Sequence, residues 1–163
     1  MARIVFVNRY FHPDVSATSQ MLSDVAFGLA RAGHEVIVIC SRQLYDDPAH
    51  VLPRRESVGG VAVHRLGTTR CGRAALAGQA LDYLSFYASL LAQLPRIVRR
   101  GDFLVTKTDP PLLSIPCSVV ARLRGARLVN WLQDVFPEVA RELGVARLPG
   151  WAMRGLQRQR GAL

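Results

Sequence analysis

Cysteine is scarce in this chain of 163 residues. The three cysteines, Cys40, Cys71 and Cys117, are odd in number and far apart, and two of them lie in apolar runs. They form neither a disulfide framework nor a set with metal-ligand spacing. This excludes the small disulfide-rich secreted domains and the zinc-ribbon class. It favours reduced thiols in a cytosolic protein.

The glycine-rich loops that cradle phosphates are also missing. No Gly-x-Gly-x-x-Gly follows the first apolar run, and neither a Walker A segment nor a Gly-x-Ser-x-Gly elbow is present. The sequence therefore argues against a nicotinamide-dependent oxidoreductase, a P-loop nucleotidase and an α/β-hydrolase. No nucleic-acid-binding motif appears, and aromatic residues do not alternate with the basic ones, so no nucleic-acid partner is predicted.

Long hydrophobic runs are few. The N-terminal run, residues 4–7, is too short for a signal peptide. Residues 74–94 carry one charge, Asp82, and are long enough to cross a bilayer, but they are rich in Ala and contain Gly, Gln and Ser. The helical spacing of five positions favours a buried domain helix over a membrane span: Leu84, Tyr87, Ala88, Leu91 and Val98.

Acidic residues are outnumbered. Twelve Asp and Glu stand against 21 Lys and Arg, a net charge of +9, and nearly all of the positive charge is Arg. Such a balance favours acidic partners, including an anionic membrane surface or phosphorylated substrates. A coding bias towards Arg is the alternative explanation.

What the chain does have is an alternation of strands and helices. Apolar runs rich in Val, Ile and Leu predict strands at residues 3–8, 35–40, 61–66, 103–106 and 127–132. Helical patterns predict helices at residues 18–32, 74–100, 112–124, 139–143 and 151–160, and a long loop at 41–60. The fold class is α/β, with one Rossmann-like doubly wound parallel sheet of about five strands in the order 3-2-1-4-5.

The first helix has an apolar repeat that is expected to face the sheet. Its members are Met21, Leu22, Val25, Leu29 and Ala32.

Three polar loops, residues 8–18, 107–111 and 133–138, follow strands 1, 4 and 5. The carboxyl ends of parallel strands share one edge, where open α/β sheets bind ligands. Arg9 and Lys107 suit phosphate, and carboxylates suit sugar hydroxyls. Asp14 and Asp109 have a second interpretation as turn formers. Asp134 follows a strand directly and has no evident turn role, which favours a functional one.

Four segments together resemble a known family. They are residues 10–24, residues 29–36, the run Thr108-Asp109-Pro110-Pro111, and the run Trp131-Leu132-Gln133-Asp134-Val135-Phe136-Pro137-Glu138. In this order and spacing they are similar to the N-terminal half of family-4 glycosyltransferases, in the branch that builds bacterial surface polysaccharides such as colanic acid. The likeness covers essentially the whole chain.

The resemblance implies one half of a GT-B architecture, in which an acceptor-binding domain and a donor-binding domain face each other across a cleft. It implies a retaining sugar transfer that needs no metal or other cofactor. The implied substrates are a nucleotide-sugar donor and a lipid-linked glycan acceptor, at the inner face of the plasma membrane. The donor domain and its Glu-x7-Glu motif are absent from these 163 residues. A separate donor-domain polypeptide is therefore an implied partner, and no turnover is expected from the chain alone.

Carried onto this sequence, the resemblance assigns catalytic roles to Asp134 and Glu138. The implied substrate-binding residues are Tyr10, Ser16, Ala17, Thr18, Lys107, Asp109 and Gln133. Two departures stand out: Ala17-Thr18 replaces the Gly-Gly of many members, and Gln133-Asp134 stands where others have a His. Residues 1–150 are expected to form the domain, and 151–163 a basic helix or the start of a linker. The alternative is a non-catalytic Rossmann-like module that docks to a membrane assembly or to a donor-domain subunit.

Overall fold

A computed structural model describes residues 1–47, 49–71 and 76–132. The strands are β1 (Arg3–Val7), β2 (Glu35–Ser41), β3 (Arg55–Val58), β4 (Val61–Leu66), β5 (Phe103–Thr106) and β6 (Arg127–Asn130). The helices are α1 (Ala17–Arg31), α2 (Leu76–Ile97) and α3 (Ser114–Arg124). The predicted elements at residues 139–143 and 151–160, and the domain boundary at 150, lie outside the described residues.

The strands form one six-stranded sheet in the order β3-β4-β2-β1-β5-β6. The pairs among β4, β2, β1, β5 and β6 are parallel. These are the five predicted strands in the predicted relative order, and the α/β fold class is confirmed. The full strand order differs from the predicted 3-2-1-4-5 by one additional edge strand, β3. The order reverses at β1, so the ends of β1 and β5 flank the switch point where such sheets bind ligands.

The loop predicted at residues 41–60 is wrong in part. Its last residues form β3, which pairs antiparallel with β4 at the sheet edge. Gly59 and Gly60 connect the two strands with φ of 57° and 81°, which a tight hairpin turn requires. The strand Arg-Glu-Ser-Val has no apolar run because an edge strand is only half covered, so the hydrophobic signal of a buried strand is absent.

Helices cover both faces of the sheet. On one face α2 and α3 pack against apolar side chains of the central strands, including Val5, Ile39 and Leu104. On the other face α1 packs through Leu22 and Ala26 against Phe6, Val38 and neighbours. The central strands are therefore buried on both sides, as their Val- and Ile-rich sequences require.

The predicted inner face of α1 is wrong for three residues. Met21 and Val25 are exposed, at 47% and 39%, and Ala32 at the end of the helix is exposed as well. The inner face consists of Ser19, Leu22, Ser23 and Ala26. Small side chains let the helix approach the sheet closely, and the Ser23 hydroxyl is satisfied by donating to the Ser19 carbonyl at 2.8 Å.

The predicted inner face of α2 is wrong for three of its five residues, whereas Val98 is buried and Tyr87 packs against the core as expected. Leu84, Ala88 and Leu91 face solvent, whereas Phe86, Leu90 and Leu94 are buried. Apolar residues occur on all sides of this helix, so periodicity alone does not select the buried one. Pro95 does not end α2, which continues to Ile97. Within the described parts of the chain, no helix combines the length and hydropathy that crossing a bilayer requires.

Candidate functional site

A cavity of about 520 Å³ opens at the carboxyl edge of the sheet. The loop after β1, the start of α1, the loop after β2, the first half of α2 and the loop after β5 enclose it. The residues that line it are Arg9, Tyr10, Ser16, Ala17, Thr18, Tyr45, Gln79, Tyr83, Thr108, Asp109 and Pro111. Three tyrosine rings and several hydroxyls give it the mixed apolar and polar wall that a small-molecule site needs.

Asp14 shapes one wall of the cavity and is buried. Its carboxylate accepts the backbone N–H of Ser16 at 2.9 Å, the hydroxyl of Ser16, and the backbone N–H of Tyr45. One side chain thereby joins the loop after β1 to the loop after β2. Of the two interpretations of Asp14, the structure supports the role of loop former.

The N-terminus of α1 lines the cavity through Ala17 and Thr18. Ser16 precedes the helix but makes no side-chain cap, because its hydroxyl donates to Asp14. The first helical hydrogen bond runs from Gln20 N–H to Ser16 O at 2.9 Å, so the amides of Ala17 and Thr18 come before it. Such amides, with the positive end of the helix dipole, form a common anion site in proteins.

Arg9 is the buried cation of the cavity, with 4% of its surface exposed. Its guanidinium carbon lies 5.2 Å from the ring centre of Tyr10 and 4.9 Å from that of Tyr83. Its Nη2 lies 3.8 Å from Asp82 Oδ2. Its Nε has no hydrogen-bond partner among the described residues. The two rings and one carboxylate offset part of the cost of burying this charge.

Asp82 links α2 to the segment after β4. Its Oδ1 accepts the Thr69 hydroxyl at 2.7 Å and the Cys71 N–H at 2.9 Å, and its Oδ2 faces Arg9. Thr69 N–H also donates to Ser85 Oγ at 2.9 Å. The carboxylate is buried in α2 because it satisfies several donors at once, which is the condition for burying a charge.

Lys107 lies behind the cavity rather than in its wall and is only 2% exposed. Its Nζ donates to the carbonyl of Thr18 at 2.7 Å and lies 4.4 Å from the ring centre of Trp131. Burial lowers the pKa of Lys107 to about 8, although the charge of Asp109 opposes this shift. The lysine thus holds the first turn of α1 against the end of β5.

The turn after β5 is held by hydrogen bonds to the loop after β1 and to α2. The carbonyl of Asp109 accepts the Arg9 N–H at 2.9 Å, and the carbonyl of Pro111 accepts the Tyr87 hydroxyl. Burial raises the pKa of Tyr87 above its usual range, with a further contribution from Asp109. Leu112 has a φ of 65°, a strained conformation for a residue with a side chain. The Asp109 side chain is held at the cavity by this turn.

The structure brings five of the seven implied binding residues to one cavity, namely Tyr10, Ser16, Ala17, Thr18 and Asp109. It places Lys107 one layer behind them. Gln133, Asp134 and Glu138 lie outside the described residues. The binding and catalytic roles themselves stay predictions.

Sequence reasoning did not name Tyr45, Gln79 or Tyr83 as site residues. The topology carried a signal for the last two. A helix that follows a parallel strand begins at the carboxyl edge, so the first turns of α2 had to lie near the loops of β1 and β5. Tyr45 lacked such a signal because it lies in a long loop, where its N–H donates to Asp14 and its ring packs against Tyr10.

Among residues 1–47, 49–71 and 76–132, no three His, Cys, Asp or Glu side chains form a cluster suited to a metal ion. No protein-family model matches this sequence, and no curated protein matches it significantly.

Proposed function

We propose that this chain is the acceptor-side domain of a retaining glycosyltransferase. The observation that carries the proposal is the composition of the cavity. Two segments of the family-like pattern, residues 10–24 and the turn at residues 108–111, meet around the same 520 Å³ space at the switch point of the sheet. The two segments are far apart in the sequence, and a shared binding role explains why they carry one pattern.

The cavity chemistry suits a phosphorylated carbohydrate. Tyrosine rings offer flat apolar surfaces to the faces of a sugar, and the Asp109 carboxylate and Thr18 hydroxyl suit sugar hydroxyls. The first amides of α1 and the guanidinium of Arg9 suit a phosphate or diphosphate. A diphosphate-linked sugar of a lipid acceptor presents both groups next to each other.

The transfer itself needs a second domain in this proposal. The acceptor hydroxyl oxygen forms a bond to the anomeric carbon of the donor sugar on the face from which the nucleotide diphosphate departs. The bond from that carbon to the diphosphate oxygen breaks, and the hydroxyl proton passes to the departing diphosphate. Asp134 and Glu138 are proposed to orient the acceptor hydroxyl. The donor is held by a domain that these 163 residues do not include, on a separate polypeptide or a longer chain. The chain alone is therefore expected to bind acceptor without transferring sugar.

The first test is a binding titration. Isotope-labelled chain is titrated with a water-soluble short-chain prenyl diphosphate monosaccharide, and amide chemical shifts are followed by NMR. We expect shifts at Tyr10, Thr18 and Asp109, and saturable binding. Ala17→Trp fills the cavity mouth at the start of α1 and is expected to weaken binding at least about tenfold.

Val25→Trp is the matched control, since Val25 lies on the same helix, is exposed and does not line the cavity. Equal binding by the Ala17→Trp and Val25→Trp variants would show that the ligand does not bind in this cavity. Transfer of sugar from a nucleotide-sugar by the purified chain would contradict the need for a second domain. Co-purification of the tagged chain with a polypeptide that carries Glu-x7-Glu would identify that domain.

A further inference from the structure

The outer face of α2 is apolar over most of its length. Between residues 76 and 92 every exposed side chain of this helix is Leu or Ala. We call this set the α2 outer face, and its members are Leu76, Ala77, Ala80, Leu81, Leu84, Ala88, Leu91 and Ala92. Leu81, Leu84 and Leu91 are 52%, 63% and 45% exposed.

The α2 outer face does not take part in the hydrophobic core. The opposite side of α2 already buries Phe86, Leu90 and Leu94 against the sheet, each with no exposed surface. The outer face extends for about 24 Å at the rise of an α-helix. A solvent-facing helix side without one charged group is unusual, and exposed apolar surfaces of this extent mark interaction sites.

The exposed charges that α2, α3 and the residues just after α2 carry are of one sign. Arg96, Arg99 and Arg100 follow it at the C-terminal end of α2, and all three are exposed. Asp82 is the only carboxylate on α2, and it is buried. The neighbouring helix α3 has no acidic residue and carries exposed Arg122 and Arg124.

We propose that the α2 outer face is a membrane-docking surface that lies in the interface of an anionic phospholipid bilayer. Leucines on one side with arginines at the end match the chemistry of such an interface, in which apolar groups enter the acyl boundary and cations meet phosphate headgroups. Protein–protein interfaces usually have an apolar centre surrounded by a polar rim. Neither α2 nor α3 provides a rim that carries both positive and negative charges.

The same helix contributes Gln79 and Tyr83 to the cavity wall. Docking through α2 would therefore hold the cavity close to the lipid surface. The docking proposal does not depend on the glycosyltransferase proposal, because it requires only that lipid bind.

The test is co-sedimentation of the full chain with vesicles of equal parts phosphatidylcholine and phosphatidylglycerol, and with vesicles of phosphatidylcholine alone. We expect binding to the anionic vesicles that weakens with added salt, and at least about tenfold weaker binding without phosphatidylglycerol. Leu84→Gln with Leu91→Gln should reduce binding at least about tenfold, since two half-exposed leucines no longer enter the lipid. Arg96→Gln with Arg99→Gln should remove most of the dependence on phosphatidylglycerol.

Met21→Gln with Val25→Gln is the matched control, because these exposed apolar residues lie on α1, which covers the opposite face of the sheet. It is expected to bind as the wild type does. A direct contact is measured with Leu84→Trp, whose added fluorescence should be quenched by phospholipid with brominated acyl chains.

The following results would overturn the proposal. The first is no binding of the wild type to anionic vesicles, or no difference between the α2 and α1 double variants. The second is a fall of several degrees in the Tm of the free chain for Leu84→Gln with Leu91→Gln, which would mean that the face is covered within the chain. The third is self-association that this variant abolishes while lipid binding persists, which would assign the face to a second copy.

Discussion

Arg9, just after β1, and Asp82, in the middle of α2, form a buried ion pair in which Nη2 lies 3.8 Å from Oδ2. Each residue has 4% or less of its surface exposed. The pair joins the central strand region to the helix that covers the sheet, and it does so at the wall of the cavity. Its two charges come from segments that are remote in sequence.

Asp82→Asn should destabilise the chain strongly. The change leaves the Arg9 guanidinium buried without its counter-charge and weakens the acceptor of Thr69 and Cys71. Removing one partner of a buried pair typically costs about 3 kcal/mol in the free energy of unfolding. Urea unfolding followed by circular dichroism measures it. Asp24→Asn, at an exposed position of α1, should change stability by less than about 0.5 kcal/mol. Similar effects of the two substitutions would mean that the pair contributes little.

Lys107 should make stability depend on pH in the alkaline range. Its pKa is lowered from 10.5 to about 8 by burial, so between these values the unfolded state binds more protons than the native state. The free energy of unfolding should therefore rise with pH from about 8 to about 10.5, by up to about 3 kcal/mol, and level off on either side.

The comparison is with Lys107→Met, which keeps the buried volume and removes the titrating group. The difference in unfolding free energy between wild type and variant isolates Lys107 from the tyrosines and cysteines that titrate in the same range. A difference that stays constant from pH 7 to about 10.5 would show that the lysine is not desolvated in the native state.

Gly59→Ala should destabilise more than Gly33→Ala. Both glycines have positive φ, 57° and 84°. A Cβ at position 59 would lie 2.8 Å from Phe27 Cδ1, whereas a Cβ at position 33 meets nothing within 4 Å. Gly33→Ala should cost about 1 kcal/mol for the backbone alone, and Gly59→Ala about 2 kcal/mol or more because of the added overlap.

Thermal unfolding of the two variants measures this difference. Phe27→Leu in the Gly59→Ala background should recover part of the loss, because it removes the ring that the new methyl group contacts. If Gly59→Ala and Gly33→Ala lower the Tm equally, the backbone conformation alone causes the loss and the contact with Phe27 adds nothing.

One thiol should react quickly in the native chain. Cys71 is exposed, whereas Cys40 and Cys117 are fully buried. Burial raises the pKa of Cys40 to about 12 and that of Cys117 above its usual range, so neither forms the reactive thiolate. A colorimetric thiol titration should give one fast equivalent in buffer and three in denaturant. Cys71→Ser should abolish the fast phase, and a fast phase that survives it would place a second thiol at the surface.

Several local structures were predictable because they depend on interactions between residues that are close together in the sequence. The Val and Ile runs of β1 and β2, and Gly33 and Gly125 at the ends of α1 and α3, mark their elements without help from the rest of the chain. Strand β3 was missed because its alternation is weak: Arg55, Glu56 and Ser57 become a strand only by pairing with β4.

The spacing of apolar residues did not predict which face of α2 is buried. Leu84 and Leu91 repeat as regularly as Phe86 and Leu90, yet only the second pair is buried. Phe86 and Leu90 share the inward side of α2 with Asp82, whose carboxylate contacts Arg9 and the segment after β4. No local pattern contains that information.

The sequence by itself determined the alternation of strands and helices, the order of the five parallel strands, and the two loops after β1 and β5 that share an edge. These follow from side-chain spacing, glycine positions and the handedness of crossover connections, all of which act over short stretches. Only the tertiary structure decided which side of α2 lies inside, that Tyr45, Gln79 and Tyr83 line one cavity with Arg9, and that Lys107 supports the cavity instead of lining it. Those outcomes depend on contacts between remote segments, whose energies exist only once the sheet has formed.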